Sequence, residues 1–161
     1  CANTPAFDPL TGQIYFTFWF PGASSAALVA MKYSEDPVPR LETVWQNDRL
    51  PGGRIEPGYF QRRKHRLCYD NVSAIHAIDA LTGATRWSYN IGYAPGGSQS
   101  TSPDGYLFPG GGDGAKLMCI RDDGHAAALI WKSDTLENRG IATQSVGDLV
   151  MATNQKRNNG L

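Results

Sequence analysis

Three tryptophans recur along this chain at an almost constant spacing. Trp45, Trp87 and Trp131 are separated by 42 and 44 residues (87−45 and 131−87), and each lies in a similar strand-like phrase followed by polar residues. A repeat of about 40–45 residues with one fixed aromatic residue is typical of stacked four-stranded β-units. Such units bury their apolar faces against their neighbours. The spacing therefore predicts a repeat protein built from sheets.

Each repeat divides into short strand-like runs separated by turn residues. Residues 14–19, for example, are rich in aromatic and β-branched side chains, as expected of a buried strand. No stretch keeps an apolar stripe at helical spacing over helical length. The chain is predicted to be all-β and a single domain of roughly 3.6 repeats. The predicted repeat boundaries are 1–48, 49–92, 93–137 and an incomplete 138–161.

Composition and charge exclude several classes of function. Lys+Arg and Asp+Glu both count 15, so the charge balance gives no reason to expect nucleic acid or an anionic membrane as a partner. No apolar run approaches the roughly 20 residues of a membrane-spanning helix. The three cysteines, Cys1, Cys68 and Cys119, include no C-x-x-C pair, and the three histidines have no ligand spacing. No metal site is predicted.

The first residue, Cys1, has two interpretations. It could be the lipidated cysteine of a mature bacterial lipoprotein, or it could mark a cut inside a longer chain. Lipoproteins usually place a flexible tether before the first repeat, whereas repeat-like sequence begins here at Asn3. We therefore expect a cut inside a longer chain.

One phrase fits the pattern A-x-D-x-x-T-G-x-x-x-W at all five fixed positions, which are Ala77, Asp79, Thr82, Gly83 and Trp87. It resembles the tryptophan-docking repeat of the quinoprotein (PQQ-like) β-propeller family. Asp, Thr and Gly favour a tight turn whose glycine adopts a backbone conformation denied to other residues. The resemblance implies that the tryptophans Trp45, Trp87 and Trp131 pack between adjoining sheets.

The other repeats match this pattern less closely. Repeat one has Lys32 at the aspartate position and a turn expanded at 35–37, and repeat three has Cys119 and Arg121 at the alanine and aspartate positions. A different propeller family with a chance match is the alternative. Propellers of the resembled family usually close with seven or eight blades of four antiparallel strands. The remaining blades, or a second copy of the chain, are therefore expected to complete the ring.

A propeller usually binds its ligand at the channel mouth, where the innermost strands and the loops between blades converge. Polar residues that recur in register at these places could bind a small polar ligand or a protein partner. A channel lined by solvated side chains is the alternative interpretation. The candidates are Asn3, Thr4, Arg54, Glu56, Gln99, Thr101, Thr143 and Gln144.

Three functions follow from the resemblance. The first is a binding or scaffolding module in the periplasm, outside the cell or on its surface, and no cofactor is assigned to it. The second is a fragment of a PQQ- and calcium-dependent dehydrogenase, in which Asn3 and Glu56 have suitable calcium-binding chemistry. The vicinal cysteine pair of many alcohol-oxidising members is absent. The third is a hydrolase or lyase whose catalytic groups lie in other blades. No catalytic residue is assigned.

The glycine-rich run at residues 110–114 looks like a phosphate-binding loop. It lacks both the G-K-[ST] ending and a following helix, which the phosphate-binding motif requires. A flexible turn between two strands is therefore predicted.

Overall fold

The computed structural model describes residues 5–18, 20–24, 26–50, 54–56, 66–71, 73–137, 144–147 and 149–152. All the regular elements within these ranges are β-strands, and every strand pair is antiparallel. The prediction of an all-β chain is confirmed. The strands form three four-stranded sheets and one two-stranded sheet, and within each sheet every strand pairs with the next one along the chain.

The sheets follow one another in chain order. Sheet 1 contains β1 (Ala6–Asp8), β2 (Gln13–Phe18), β3 (Ala27–Ser34) and β4 (Arg40–Asn47). Sheet 2 contains β5 (Arg54–Glu56), β6 (Arg66–Asn71), β7 (Ala74–Asp79) and β8 (Thr85–Asn90). Sheet 3 contains β9 (Ser100–Thr101), β10 (Tyr106–Phe108), β11 (Lys116–Asp122) and β12 (Ala127–Glu137), and sheet 4 contains β13 (Gln144–Val146) and β14 (Leu149–Met151).

The first apolar core lies between sheets 1 and 2. In β2 the fully buried Tyr15 is flanked by the half-buried Ile14 and Phe16, because successive side chains of a strand point to opposite faces. Tyr15 therefore lines the face that packs on sheet 2. The core consists of Ala6, Tyr15, Leu28, Ala30, Trp45 and Leu50 together with Ile78 and Ala80.

A second core joins sheet 2 to sheet 3. It consists of Ile75, Ala77, Trp87, Ile91 and Tyr93 together with Leu107, Ala115, Met118 and Ile120. Strand β7 contributes to both cores, through Ile78 on one face and through Ile75 on the other. Sheet 2 is thus apolar on both faces, as is typical of a sheet inside a stack.

The three four-stranded sheets share one irregularity beside their tryptophans. Trp45 lies opposite Ala30, Trp87 opposite Ala77, and Trp131 opposite Cys119, and in each sheet the strand register shifts directly after that small residue. Such a shift is the mark of a β-bulge, which bends the strand and increases its twist. A small partner leaves room for the indole ring, so the three tryptophans occupy the same structural position.

Candidate functional site

Trp45 of sheet 1 lies against the turn that joins β7 to β8 in sheet 2. Its Nε1 donates a hydrogen bond of 2.8 Å to the carbonyl oxygen of Ala80. A Cβ atom built on Gly83 would lie only 2.5 Å from Cε3 of Trp45, and this glycine has a φ of 73°. Any other residue at position 83 would therefore clash with the indole and strain the backbone. We call a turn that receives an indole in this way an indole seat.

The Asp79 carboxylate holds this first indole seat in shape. Its Oδ1 accepts hydrogen bonds from the backbone N–H groups of Leu81 and Thr82, at 3.0 and 3.1 Å, and its Oδ2 is paired with Arg86. Partial burial works to raise the pKa of Asp79, but the Arg86 guanidinium and the two backbone N–H groups outweigh it, so this pKa lies below its usual value. The carboxylate is thus a fixed part of the turn at neutral pH.

Trp87 of sheet 2 occupies the second indole seat, which joins β11 to β12 in sheet 3. Its Nε1 donates a hydrogen bond of 2.8 Å to Oδ1 of Asp122, and the same oxygen accepts a 2.6 Å bond from the Gly124 N–H. The Asp122 side chain is buried, and Gly124 is buried with a φ of 97°. A buried carboxylate needs hydrogen-bond donors nearby, and the indole N–H of Trp87 is one of them.

The two seats are equivalent positions of the repeat. Ala80 comes three residues after Ala77, and Asp122 comes three residues after Cys119, the small residues opposite the tryptophans of their own sheets. Sequence reasoning missed Asp122, because repeat three lacks the A-x-D-x-x-T-G pattern. The order Asp122, Asp123, Gly124 just before a strand-like run was the available signal.

Trp131 has the same register but a different environment. Its side chain is 41% exposed, whereas Trp45 and Trp87 are 9% and 6% exposed. Its ring lies near Phe108, with the two centroids 6.4 Å apart. Within the described ranges, no turn seats this third indole.

The predicted channel-lining residues that the structure describes lie on the first strands of their sheets or directly before them. Arg54 and Glu56 belong to β5, and Gln144 belongs to β13. Thr101 lies half-buried on β9, and Gln99 is buried just before it. Asn3, Thr4 and Thr143 lie outside the described residues.

Contacts between strands bring part of this predicted site together. Strand β9 lies against β13, so the backbones at Thr101 and Gln144 belong to neighbouring first strands. Strand β5, with Arg54 and Glu56, lies against β2 of sheet 1. The structure thus brings the first strands of sheets 3 and 4 together, and it places the first strand of sheet 2 against the second strand of sheet 1.

The glycine-rich run after β10 is a packing element. A Cβ atom on Gly110 would lie 1.9 Å from the carbonyl oxygen of Gly97, and the carbonyl of Gly111 accepts a hydrogen bond of 3.0 Å from the Gly97 N–H. The hydroxyl of Tyr93 donates to the carbonyl of Gly110 at 2.9 Å. The run thus packs its backbone against the segment that leads from sheet 2 into sheet 3.

His76 and Cys119 are buried on strands of sheets 2 and 3. Nδ1 of His76 is 2.7 Å from Oγ of Ser88, and burial lowers the pKa of this imidazole. Burial also raises the pKa of the Cys119 thiol, which favours the unreactive protonated form. Among the residues with described side chains, no three His, Cys, Asp or Glu residues are grouped so that they could hold a metal ion.

The described part of the chain contains no helix of the length and apolarity needed to cross a membrane. The chain matches no model of a known protein family. It is similar to Protein Rv3035 of Mycobacterium tuberculosis (strain ATCC 25618 / H37Rv), with 28% identity over 163 residues. The match covers 94% of this chain but 37% of Protein Rv3035, so the chain spans little more than a third of that relative's length.

Proposed function

We propose that this chain is part of a β-propeller of the quinoprotein-like type that acts as a binding or scaffolding module. One observation carries the proposal: the same contact between an indole and a turn occurs twice, in the same direction along the chain. Trp45 reaches from sheet 1 to sheet 2, and Trp87 reaches from sheet 2 to sheet 3. A contact that repeats with a constant direction builds either a closed ring or an open stack.

The apolar outer face of sheet 1 supports a ring. Phe7 and Phe18 are 60% and 41% exposed, and Ile14 and Phe16 lie half-buried on the same face. Large apolar side chains collected on one face of a sheet are normally covered by another layer. Seven or eight blades would close the ring, which is the number usual in the family that the motif resembles.

The proposed binding surface consists of the polar residues on or beside the first strands of the sheets. Gln99 and Thr101 belong to this region in sheet 3, and Arg54 and Glu56 occupy the first strand of sheet 2. These residues offer hydrogen bonds and one pair of opposite charges, which suits a small polar ligand or a polar protein segment. The module is proposed to act in the periplasm, outside the cell or on the cell surface.

A PQQ- and calcium-dependent dehydrogenase is the second candidate, because the family that the motif from Ala77 to Trp87 resembles includes such enzymes. Its calcium ligands would have to include side chains such as Asn3 and Glu56, and neither of these side chains is among those described. No catalytic step is therefore assigned to this chain.

A matched pair of variants tests the binding surface. The double variant Arg54→Ala, Glu56→Ala removes an R-x-E pair from the first strand of sheet 2. The control variant Arg40→Ala, Glu42→Ala removes the same pattern from β4, where both side chains are exposed and paired with each other. Thermal shift would be measured with a panel of small polar ligands that includes PQQ with Ca²⁺.

The outcomes separate the two candidates. A stabilising ligand whose effect is lost in the Arg54/Glu56 variant and kept in the Arg40/Glu42 variant supports the binding module. Stabilisation by PQQ with Ca²⁺, together with quinone absorbance and dye reduction, would support the dehydrogenase instead. Equal ligand-induced shifts in both variants would exclude this surface as the ligand-binding site. Electron micrographs of the protein in its natural length test the ring itself.

A further inference from the structure

Strand β4 is the last strand of sheet 1, and its outer edge pairs with no other strand among the described residues. Residues 40–44 are all exposed, and the exposure continues through the turn at residues 35–39. Past Trp45 the pairing of β3 with β4 continues as far as Ser34 opposite Arg40. The backbone N–H and C=O groups along such an exposed edge form a template for pairing with another chain.

The sequence along this edge is self-complementary. Residues 38–44 read V-P-R-L-E-T-V, with Leu41 at the centre. When two copies of this segment pair antiparallel about Leu41, Arg40 of each copy faces Glu42 of the other. Opposite charges placed across an antiparallel pair stabilise it, and like charges destabilise it. Moving the centre by one residue would place Arg40 opposite Arg40 or Glu42 opposite Glu42, so the charges select one register.

We propose that β4 is a self-association edge, on which a second copy of this chain pairs antiparallel about Leu41 and joins the two copies of sheet 1 into one sheet. Both copies would use the same patch, as a two-fold axis requires. Tyr33 lies opposite Leu41 within each copy, and these residues are 49% and 55% exposed. The pairing would therefore bring four exposed apolar side chains into one row across the joined sheets.

The charges of this edge are accessible to a second copy. Nε and Nη2 of Arg40 each lie 2.6 Å from Oε1 of Glu42, and both side chains are 49% exposed. A guanidinium has several donors and a carboxylate several acceptor sites, so these groups can also bond across the interface. In sheet 2, by contrast, Arg86 of the last strand is bound to Asp79 of its own turn. The turn thus already uses the charge of Arg86.

Self-association through β4 is independent of the proposed ligand-binding surface. Strand β4 lies at the opposite edge of sheet 1 from the first strand, β1. The pairing would therefore leave the polar residues of the first strands uncovered. It also needs only sheet 1, so it does not rest on the ring.

Two charge reversals in the protein of natural length test the pairing. Arg40→Glu and Glu42→Arg each place like charges opposite one another in a dimer of identical copies. Each should raise the dissociation constant of the dimer on the order of tenfold or more, measured by analytical ultracentrifugation over a range of concentrations. An equimolar mixture of the two variants should form a heterodimer, because one variant carries only negative charges at positions 40 and 42 and the other only positive ones.

Two further variants serve as controls. The double variant Arg40→Glu, Glu42→Arg restores opposite charges across the interface and should associate like the unaltered protein, which separates lost pairing from misfolding. Arg121→Glu should leave the dissociation constant unchanged. It is the matched control, because Arg121 forms an exposed ion pair with Asp123 two residues along the chain, as Arg40 does with Glu42.

Three outcomes would overturn the proposal. The first is a protein that stays monomeric at every concentration, as expected if β4 received a strand of a different protein. The second is a dimer that neither charge reversal weakens. The third is a mixture of the two single variants that remains monomeric. Each of these results would leave the propeller to be judged separately, by rings in electron micrographs.

Discussion

The two occupied indole seats differ in the oxygen atom that accepts the indole hydrogen bond. Trp45 donates to the backbone carbonyl of Ala80, and Trp87 donates to the carboxylate of Asp122, both at 2.8 Å. A backbone carbonyl remains whichever side chain the residue carries, whereas a substitution of the aspartate removes its carboxylate. The first seat should therefore be most sensitive to changes of shape, at Gly83, and the second to changes of chemistry, at Asp122.

The largest expected effect comes from the indoles themselves. Trp45→Ala and Trp87→Ala should each lower the free energy of unfolding by about 3–5 kcal/mol, because each removes a large buried ring and leaves a cavity. Trp131→Ala should cost clearly less, since this side chain is 41% exposed. Urea denaturation followed by circular dichroism measures all three. Equal losses would mean that Trp131 is seated like the other two.

The second effect compares two glycines in turns of identical pattern. Residues 8–12 and 79–83 both read D-x-L-T-G, and Gly12 and Gly83 have φ values of 70° and 73°. Alanine at either site costs about 1–2 kcal/mol of backbone strain. Gly83→Ala should add roughly 1–3 kcal/mol because its Cβ would overlap Trp45, whereas the nearest atom to a Cβ at Gly12 is 4.0 Å away. Equal urea midpoints for the two variants would contradict the steric account of the first seat.

The third effect concerns the acceptor of the second seat. Asp122→Ala should destabilise the fold by about 1–3 kcal/mol, because it leaves the buried N–H of Trp87 without an acceptor. Asp122→Asn keeps an oxygen at this position and should cost less. A double-mutant cycle with Trp87→Phe should show coupling to Asp122→Ala, and the matched cycle with Trp45→Phe should show none. Coupling of similar size in both cycles would assign the effect to general destabilisation.

The smallest effect is a pH dependence that arises in sheet 2. Burial lowers the pKa of His76 in the folded chain, so the unfolded chain binds the proton more readily. The contribution of the neutral imidazole to stability is therefore present above about pH 6.5 and is lost as the pH falls below that value. His76→Gln should flatten the dependence of the urea midpoint between pH 8 and pH 5. The control variant His125→Gln changes an exposed side chain and should leave the pH dependence of the urea midpoint unchanged. An unchanged slope in His76→Gln would contradict the assignment.

The sequence predicted the architecture better than it predicted the contacts between the sheets. The spacing of the tryptophans predicted sheets of four strands, because one aromatic residue per repeat marks a strand that packs on its neighbour. Strand β12, however, runs from Ala127 to Glu137, and a further irregularity between Lys116 and Met118 accommodates its length. A bulge of this kind depends on both paired strands, so the sequence of either strand alone does not predict it.

The seats were only partly predictable for two physical reasons. The turn at Asp8 and the turn at Asp79 have the same local structure, with the glycine N–H bonded to the aspartate carbonyl at 2.8 Å, yet the first joins β1 to β2 and the second joins β7 to β8. Local sequence thus predicts a turn but not its place in the sheet. The acceptor can also be a backbone carbonyl, as at Ala80, and every residue has one of those.

Hydrogen exchange of the indole N–H groups, measured by NMR and assigned with single Trp→Phe variants, tests the stacking account most directly. We expect slow exchange for Trp45 and Trp87, whose N–H groups are buried and hydrogen-bonded, and fast exchange for Trp131. Fast exchange at Trp45 and Trp87 would contradict the docking of each sheet on the next through its tryptophan.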